Sequence, residues 1–173
     1  MSTMQENMLK IDKNDEEDDE NVLQLVIFQL GGEEFAVDIM QVQEIIRMPE
    51  STRIPQAPDY VKGVINLRGK IIVVVSLDVK FNIEAKEVDE NSRVIVVEVE
   101  DNVLGMVVDS VSEVIRLPHS NVENAPDIIT SKIKAEYIQG VGKLDDRLLI
   151  LLDLKRVLQE SEIEEVSNIK KNT

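Results

Sequence analysis

Between Tyr60 and Phe81 the chain reads YVKGVINLRGKIIVVVSLDVKF. Apolar residues run nearly uninterrupted from Val64 to Leu77 and are broken only by Asn66-Leu67-Arg68-Gly69-Lys70. A run of that length with a polar, glycine-bearing interruption is a strand, a tight turn and a second strand, both strands buried on both faces. The turn carries a guanidinium, that of Arg68.

Upstream, Leu23-Gln24-Leu25-Val26-Ile27-Phe28 is a strand, Gly31-Gly32 a turn, and Phe35-Ala36-Val37 the returning strand of a hairpin. Residues 40–48, MQVQEIIRM, place Val42, Ile45 and Ile46 at helical spacing, but the isoleucine pair followed by Pro49 favours a short strand. Pro49, Pro55 and Pro58 then mark a loop. Downstream, Ser76 is predicted to cap a helical turn through Phe81, and the charged segment from Glu84 to Asn91 to be a surface connector.

Sliding the chain against itself exposes a duplication. Val42-Gln43-Glu44-Ile45-Ile46-Arg47-Met48-Pro49 recurs as Val111-Ser112-Glu113-Val114-Ile115-Arg116-Leu117-Pro118. Asp38 matches Asp109, and Leu25 to Val37 aligns without gaps on Val96 to Val108. Ala57-Pro58-Asp59 recurs as Ala125-Pro126-Asp127; nine extra residues, Ile128 to Glu136, then precede Tyr137-Ile138-Gln139-Gly140-Val141, the answer to Tyr60-Val61-Lys62-Gly63-Val64. Ile71 to Val75 is matched by Leu148 to Leu152, and Ser76-Leu77 by Asp153-Leu154, again a capping residue opening a helix. Apolar periodicity dictates valines, but it does not dictate a Glu, an Arg, a Tyr, a Gly and several prolines in order. Two units of roughly 23–81 and 92–158 follow, each with four or five short strands, the pattern of a small barrel that removes its own edges. Units that small are marginal alone, so the two barrels are expected to pack over an apolar interface or to exchange a strand. Leu154, Val157 and Leu158 put an apolar stripe on a final helix that continues into the acidic segment 159–173, read as a helix extension and a flexible C-terminal tail.

Composition narrows the function. The chain has 173 residues, of which 43% are apolar, enough for one substantial core or two fused ones. Its net charge is −15; residues 1–22, with the block from Asp15 to Glu20, are read as a disordered acidic arm. That balance argues against nucleic acid or an anionic membrane surface as partner and suits a protein partner. Neither a signal peptide nor a run of apolar residues long enough to span a bilayer is visible, so a cytoplasmic location without membrane insertion is expected. The chain lacks cysteine and has a single histidine, His119, which removes thiolate metal sites, disulfides and the usual acid/base partner.

Of the enzyme possibilities, one carboxylate in each half, Asp38 and Asp109, invites comparison with aspartic proteases, whose two acids share one site. The glycine that such a site needs after each Asp is missing: Ile39-Met40 follows one and Ser110-Val111 the other. Strand-end aspartates bonded to a neighbouring backbone amide are the simpler account. No phosphate cradle is present either, because Gly31-Gly32 lacks a following Lys-Ser/Thr and Gly140-Val141-Gly142-Lys143 leads into a strand. No cofactor and no catalytic residue is assigned. What remains is a contrast: the first copy turns at Asn66-Leu67-Arg68-Gly69 and the second at Lys143-Leu144-Asp145-Asp146, so the strands match while the tip changes sign. An Arg on a hairpin tip, planar, five-donor and apolar-stemmed, has the makings of an interface anchor.

The run Val61-Lys62-Gly63-Val64-Ile65-Asn66-Leu67-Arg68-Gly69, with Val42-Gln43-Glu44-Ile45 before it and Tyr137-Ile138-Gln139-Gly140-Val141-Gly142 after it, resembles the CheW family of chemotaxis coupling proteins over nearly all of 23–158. The resemblance implies a mainly β fold of two tandem SH3-like, five-stranded barrels packed together, with a C-terminal helix. It implies a non-catalytic adaptor, monomeric when free, that joins the regulatory domain of a CheA-type histidine kinase to the helical-hairpin tips of methyl-accepting chemoreceptors in membrane clusters. Carried over by motif, the receptor-facing positions are Val42, Glu44, Gly63, Asn66, Leu67, Arg68 and Gly69, with Ile45 added; no kinase-facing residues are assigned. Shared membership of one motif gives the hypothesis that Glu44 holds the Arg68 guanidinium. Two alternatives are carried along: a fragment of a CheA-like or CheW-receiver hybrid, and an Asp-dyad hydrolase. Against the fragment, Met1 is expected to open a complete arm, no kinase nucleotide box is seen in the sequence, and no receiver is expected after Leu158.

Overall fold

The structure, a computed structural model, describes residues 21–84 and 86–172. The arm expected over 1–22 lies, up to residue 20, outside the described residues. In chain order the elements are β1 (Val22–Leu30), β2 (Glu33–Asp38), β3 (Val42–Arg47), β4 (Val61–Leu67), β5 (Lys70–Ser76), α1 (Leu77–Lys80), β6 (Arg93–Val99) and β7 (Asn102–Val108). They continue with β8 (Ser110–Pro118), β9 (Val122–Glu123), α2 (Asp127–Thr130), β10 (Ile138–Leu144), β11 (Arg147–Leu152) and α3 (Glu160–Lys171). The residues 40–48 that fit helix and strand equally are a single 3-10 turn, Ile39–Gln41, followed by strand β3.

The strands form a six-stranded sheet, β8-β1-β2-β11-β10-β9, and a five-stranded sheet, β3-β6-β7-β5-β4. Neither sheet coincides with one repeat. Of the two expected arrangements, simple packing of units over 23–81 and 92–158 or exchange between them, the structure has exchange, of a whole hairpin rather than one strand: each repeat lends its leading hairpin to the other barrel, through the parallel pairs β2–β11 and β5–β7. The exchange has a physical reason in the two-faced apolar pattern of the hairpins. On β1–β2, Val26, Phe28, Phe35 and Val37 enter a core shared by both sheets, while Leu25, Ile27 and Ala36 pack inside the six-stranded barrel with Leu117, Leu149 and Leu151. On β6–β7, Ile95, Val97, Leu104 and Met106 enter the shared core, and Val94, Val96 and Val107 fill the five-stranded barrel with Ile65, Ile72 and Val74. A hairpin apolar on both faces is covered only where two layers meet it.

Turn-to-turn correspondence also corrects the internal alignment. The turn Gly31-Gly32 is answered by Glu100-Asp101, the residues between β6 and β7, so Leu25 corresponds to Val94 and Val37 to Met106, two residues earlier than the gapless alignment gave. Asp38 then corresponds to Val107, not to Asp109. The two aspartates stand at opposite ends of the β1–β2 hairpin: Asp38 lies opposite Leu25 and its carboxylate accepts from Met40 N at 2.9 Å, whereas Asp109 accepts from Gly31 N at 2.9 Å. They share no site, and both play the backbone-bonding part expected of strand-end aspartates.

The joint between the sheets is aromatic. All three phenylalanines stand in one row with Tyr137, with successive ring centroids 5.7–5.8 Å apart through Phe28, Phe35, Phe81 and Tyr137. Tyr60 and Tyr137, the matched tyrosines of the duplication, both face Lys80, whose Nζ lies 5.2 Å and 6.0 Å from their ring centroids. Expected caps divide here. Asp153 accepts from Lys155 N, but Ser76 makes no side-chain cap and donates instead to the Asp78 carboxylate.

The final helix differs from the expectation too. Leu154–Arg156 is a 3-10 turn, Gln159 is extended, and α3 starts afresh with Gln159 N donating to Glu162 Oε1 at 2.9 Å. The helix extension expected within 159–173 is α3 itself, and it buries Ile163 and Val166 in the shared core. Lys80 pairs with Glu162 at 2.7 Å, and Tyr60 Oη donates to Glu165 Oε1 at 3.1 Å. Burial, then the neighbouring Glu165 carboxylate, raises the Tyr60 phenol well above its ordinary range. The fold thus holds the neutral phenol, a stabilisation fully present below about pH 10 and lost as pH climbs above the value of the unfolded chain. Tyr60→Phe, compared with wild type by chemical denaturation across pH 8 to 12, is expected to lose stability less steeply above about pH 10.

Candidate functional site: the Arg68 hairpin tip

β4 and β5 are joined by only two residues, Arg68 and Gly69, at φ 51° and 84°. Two successive left-handed residues define the tight turn that matches strand twist. Asn66 and Leu67, expected as part of the turn, are the last residues of β4, and Asn66 Oδ1 accepts from Gly69 N at 2.8 Å to fix the tip. Gly69 meets nothing within 4 Å where a Cβ would stand, so its glycine serves conformation rather than space.

Strand β3 approaches this tip from the other edge of the sheet. Its alternation, with an irregularity between Val42 and Glu44, sends Val42 and Ile45 toward the shared core and Glu44 to the opposite face. Glu44 there pairs with Arg68 Nη2, as the shared motif anticipated. The Arg68 side chain remains 70% exposed, so the pair aims it without hiding it. Hydrogen bonding to Glu44 holds Arg68 still more firmly in its charged form.

The structure thus gathers Glu44, Asn66, Leu67, Arg68 and Gly69 at one mouth of the five-stranded barrel. Val42 is only 6% exposed and packs in the core beneath, with Ile45 half-buried beside it. Gly63 stands apart, about 16 Å back along β4. A Cβ on it would lie 2.6 Å from the Thr52 carbonyl oxygen, because Thr52 exchanges two backbone hydrogen bonds with Val64, at 2.8 and 2.9 Å, and closes the barrel. Gly140 repeats the arrangement: its Cβ would stand 2.8 Å from the carbonyl oxygen of Glu123 in β9, which closes the other barrel. The duplicated glycine was a sequence signal for a close backbone approach; the closing residue Thr52 left none.

At the corresponding mouth of the six-stranded barrel the chemistry is inverted. The tip is Asp145-Asp146, and Arg147, in the register position of Lys70, pairs with Glu34 at 2.8 Å and Glu113 at 3.3 Å. Elsewhere, an apolar groove of about 590 Å³ runs between β2, the segment after α1 and the nine-residue insertion. Its rim includes Ile128, 70% exposed, and Leu148, 55% exposed. Among the described residues no group of side chains is arranged to hold a metal ion, and no helix is long and apolar enough to cross a membrane.

Two barrels stitched together by exchanged hairpins, presenting an arginine tip and an apolar groove to the outside, make a scaffold built for protein contacts. The family model described as a CheW-like domain matches residues 24–162. The chain is 41% identical to the chemotaxis protein CheW of Klebsiella aerogenes, over 86% of this chain and 89% of that one. It is 34% identical to the CheW of Helicobacter pylori, over 84% and 87%. The crystal structure of the scaffolding protein TtCheW from Thermoanaerobacter tengcongensis is similar with a TM-score of 0.73 and 34% identity, covering 79% of this chain and 88% of that one. The chain belongs to the CheW family of chemotaxis scaffold proteins, and its two barrels are of the SH3-like kind.

Proposed function

We propose that this chain couples the cytoplasmic tips of methyl-accepting chemoreceptors to a CheA-type histidine kinase, without catalysis of its own. It acts in the cytoplasm, recruited as a monomer to receptor clusters at the membrane. The observation that carries the reading is the asymmetry of the two hairpin tips: one barrel presents Arg68, held by Glu44 and mostly exposed, where its duplicate presents two aspartates. A fold that needed only a closed hairpin would be served by either tip. A receptor tip is an antiparallel helix pair, and an exposed fork of donors beside half-buried Leu67 suits a helix that brings carboxylates and an apolar ridge. A coupler needs a second face, and the groove rimmed by Ile128 and Leu148 offers one to the kinase regulatory domain. The test is simultaneous binding. In sedimentation velocity, the chain, a receptor-tip fragment and a kinase regulatory domain should form one three-component boundary; two binary complexes that exclude each other would contradict coupling.

A further inference from the structure

The corrected register shows that the two barrel mouths differ at one more position. Glu34, clamped by Arg147 in the six-stranded barrel, corresponds to Val103 in the five-stranded one. Val103 on β7 is half-buried, packs against the barrel interior with Leu67, and lies beside Ile72 by the parallel register of β5 and β7. Lys70, which replaces Arg147, is exposed and makes no ion pair among the described residues. One mouth is therefore shut by an arginine bridging two carboxylates. The other has Leu67 and Val103, both packed on the barrel's apolar interior, and two cations at its tip, Arg68 and Lys70, whose only carboxylate partner among the described residues is Glu44.

We propose that Val103 and Lys70 belong to the receptor-facing surface: the open mouth takes one helix of the receptor hairpin. That helix rests an apolar side chain on Leu67 and Val103 and turns carboxylates toward Arg68 and Lys70. This deepens the coupling reading and rests on it. The occupant follows from charge and shape together. In a chain of net charge −15, two adjacent cations with spare donors at an apolar floor select an acidic, amphipathic helix over the chain's own acidic surface. The duplicate mouth serves as an internal control, since Arg147 there already bridges Glu34 and Glu113.

The test installs the closed mouth in the open one. Val103→Glu, a carboxylate that the duplicate strand position already tolerates as Glu34, gives Lys70 a partner and covers the floor with charge. Calorimetric titration of the full chain with a receptor-tip fragment, at a temperature where both proteins are folded, should show binding weakened about 10-fold or more, with kinase-domain affinity unchanged. Lys70→Glu should weaken receptor binding in the same direction, and Glu34→Val should leave it as in wild type. Receptor affinity unchanged in both Val103→Glu and Lys70→Glu, with wild type binding normally, overturns the inference and leaves coupling standing. Failure of wild type to bind the receptor fragment overturns both.

Discussion

Replacing Arg68 by alanine is expected to weaken receptor-tip binding about 30-fold or more while leaving the unfolding midpoint where it was. The two halves of that expectation have separate causes. Arg68 is 70% exposed and contacts Glu44 at the surface, so removing it strips no core packing and breaks an ion pair of the kind that contributes little to stability. For a partner the same residue offers a guanidinium already aimed by Glu44, with most of its donors unspent, beside the half-buried Leu67. Glu44→Gln should fall between wild type and Arg68→Ala, because it removes the aim and keeps the fork. Equal affinities for all three proteins would show that the tip is an ordinary solvated turn.

The largest loss of stability is expected from Gly63→Val. A Cβ there stands 2.6 Å from the Thr52 carbonyl oxygen and 3.1 Å from its carbonyl carbon, and both are backbone atoms of the segment that closes the barrel. Neither can turn aside as a side-chain tip would. Relief requires Thr52 to leave Val64, which breaks both closing hydrogen bonds and opens the edge of β4. A cost of about 3 kcal/mol or more follows, read as a lower urea midpoint at an unchanged slope. Gly69→Ala is the contrasting case, with open space around it and only its left-handed backbone to strain, at roughly 1 kcal/mol. If the two substitutions cost the same, the close approach at Gly63 is not what the glycine is for. The same comparison separates Gly63 from the receptor surface: its effect on binding should vanish once the fraction folded is accounted for.

How much of this was legible in the sequence depends on the period of each signal. The strands from Val64 to Leu77 were, because a run apolar on both faces has few other homes. Exchange between the units was among the expected arrangements, but which element crosses was not legible, since β1–β2 and β6–β7 bear the same two-faced pattern whichever barrel receives them. The alignment of Leu25 with Val96 slipped by two residues for a related reason: a strand alternates with period two, so a slip of two keeps every residue on its proper face. The turns, Gly31-Gly32 and Glu100-Asp101, reveal it, and glycine in one copy answers to acids in the other. The last helix was misplaced because Leu154, Val157 and Leu158 continue an apolar stripe across the extended Gln159, a residue type with no strong signature as a cap. At the site, Arg68 was legible as the tip that changed sign. Val103 was not, because its significance appears only when it is set against Glu34, and that pairing needs the corrected register.

A coupler makes a kinase answer to a receptor. Kinase autophosphorylation, followed with a CheA-type kinase and receptor signalling fragments in the presence and absence of this chain, measures that most directly. Receptor-dependent kinase output that appears on adding wild type, and fails to appear with Arg68→Ala of equal stability, is the predicted result. Kinase output that ignores the receptor whether or not the folded wild-type chain is present would show that the chain does not couple the two.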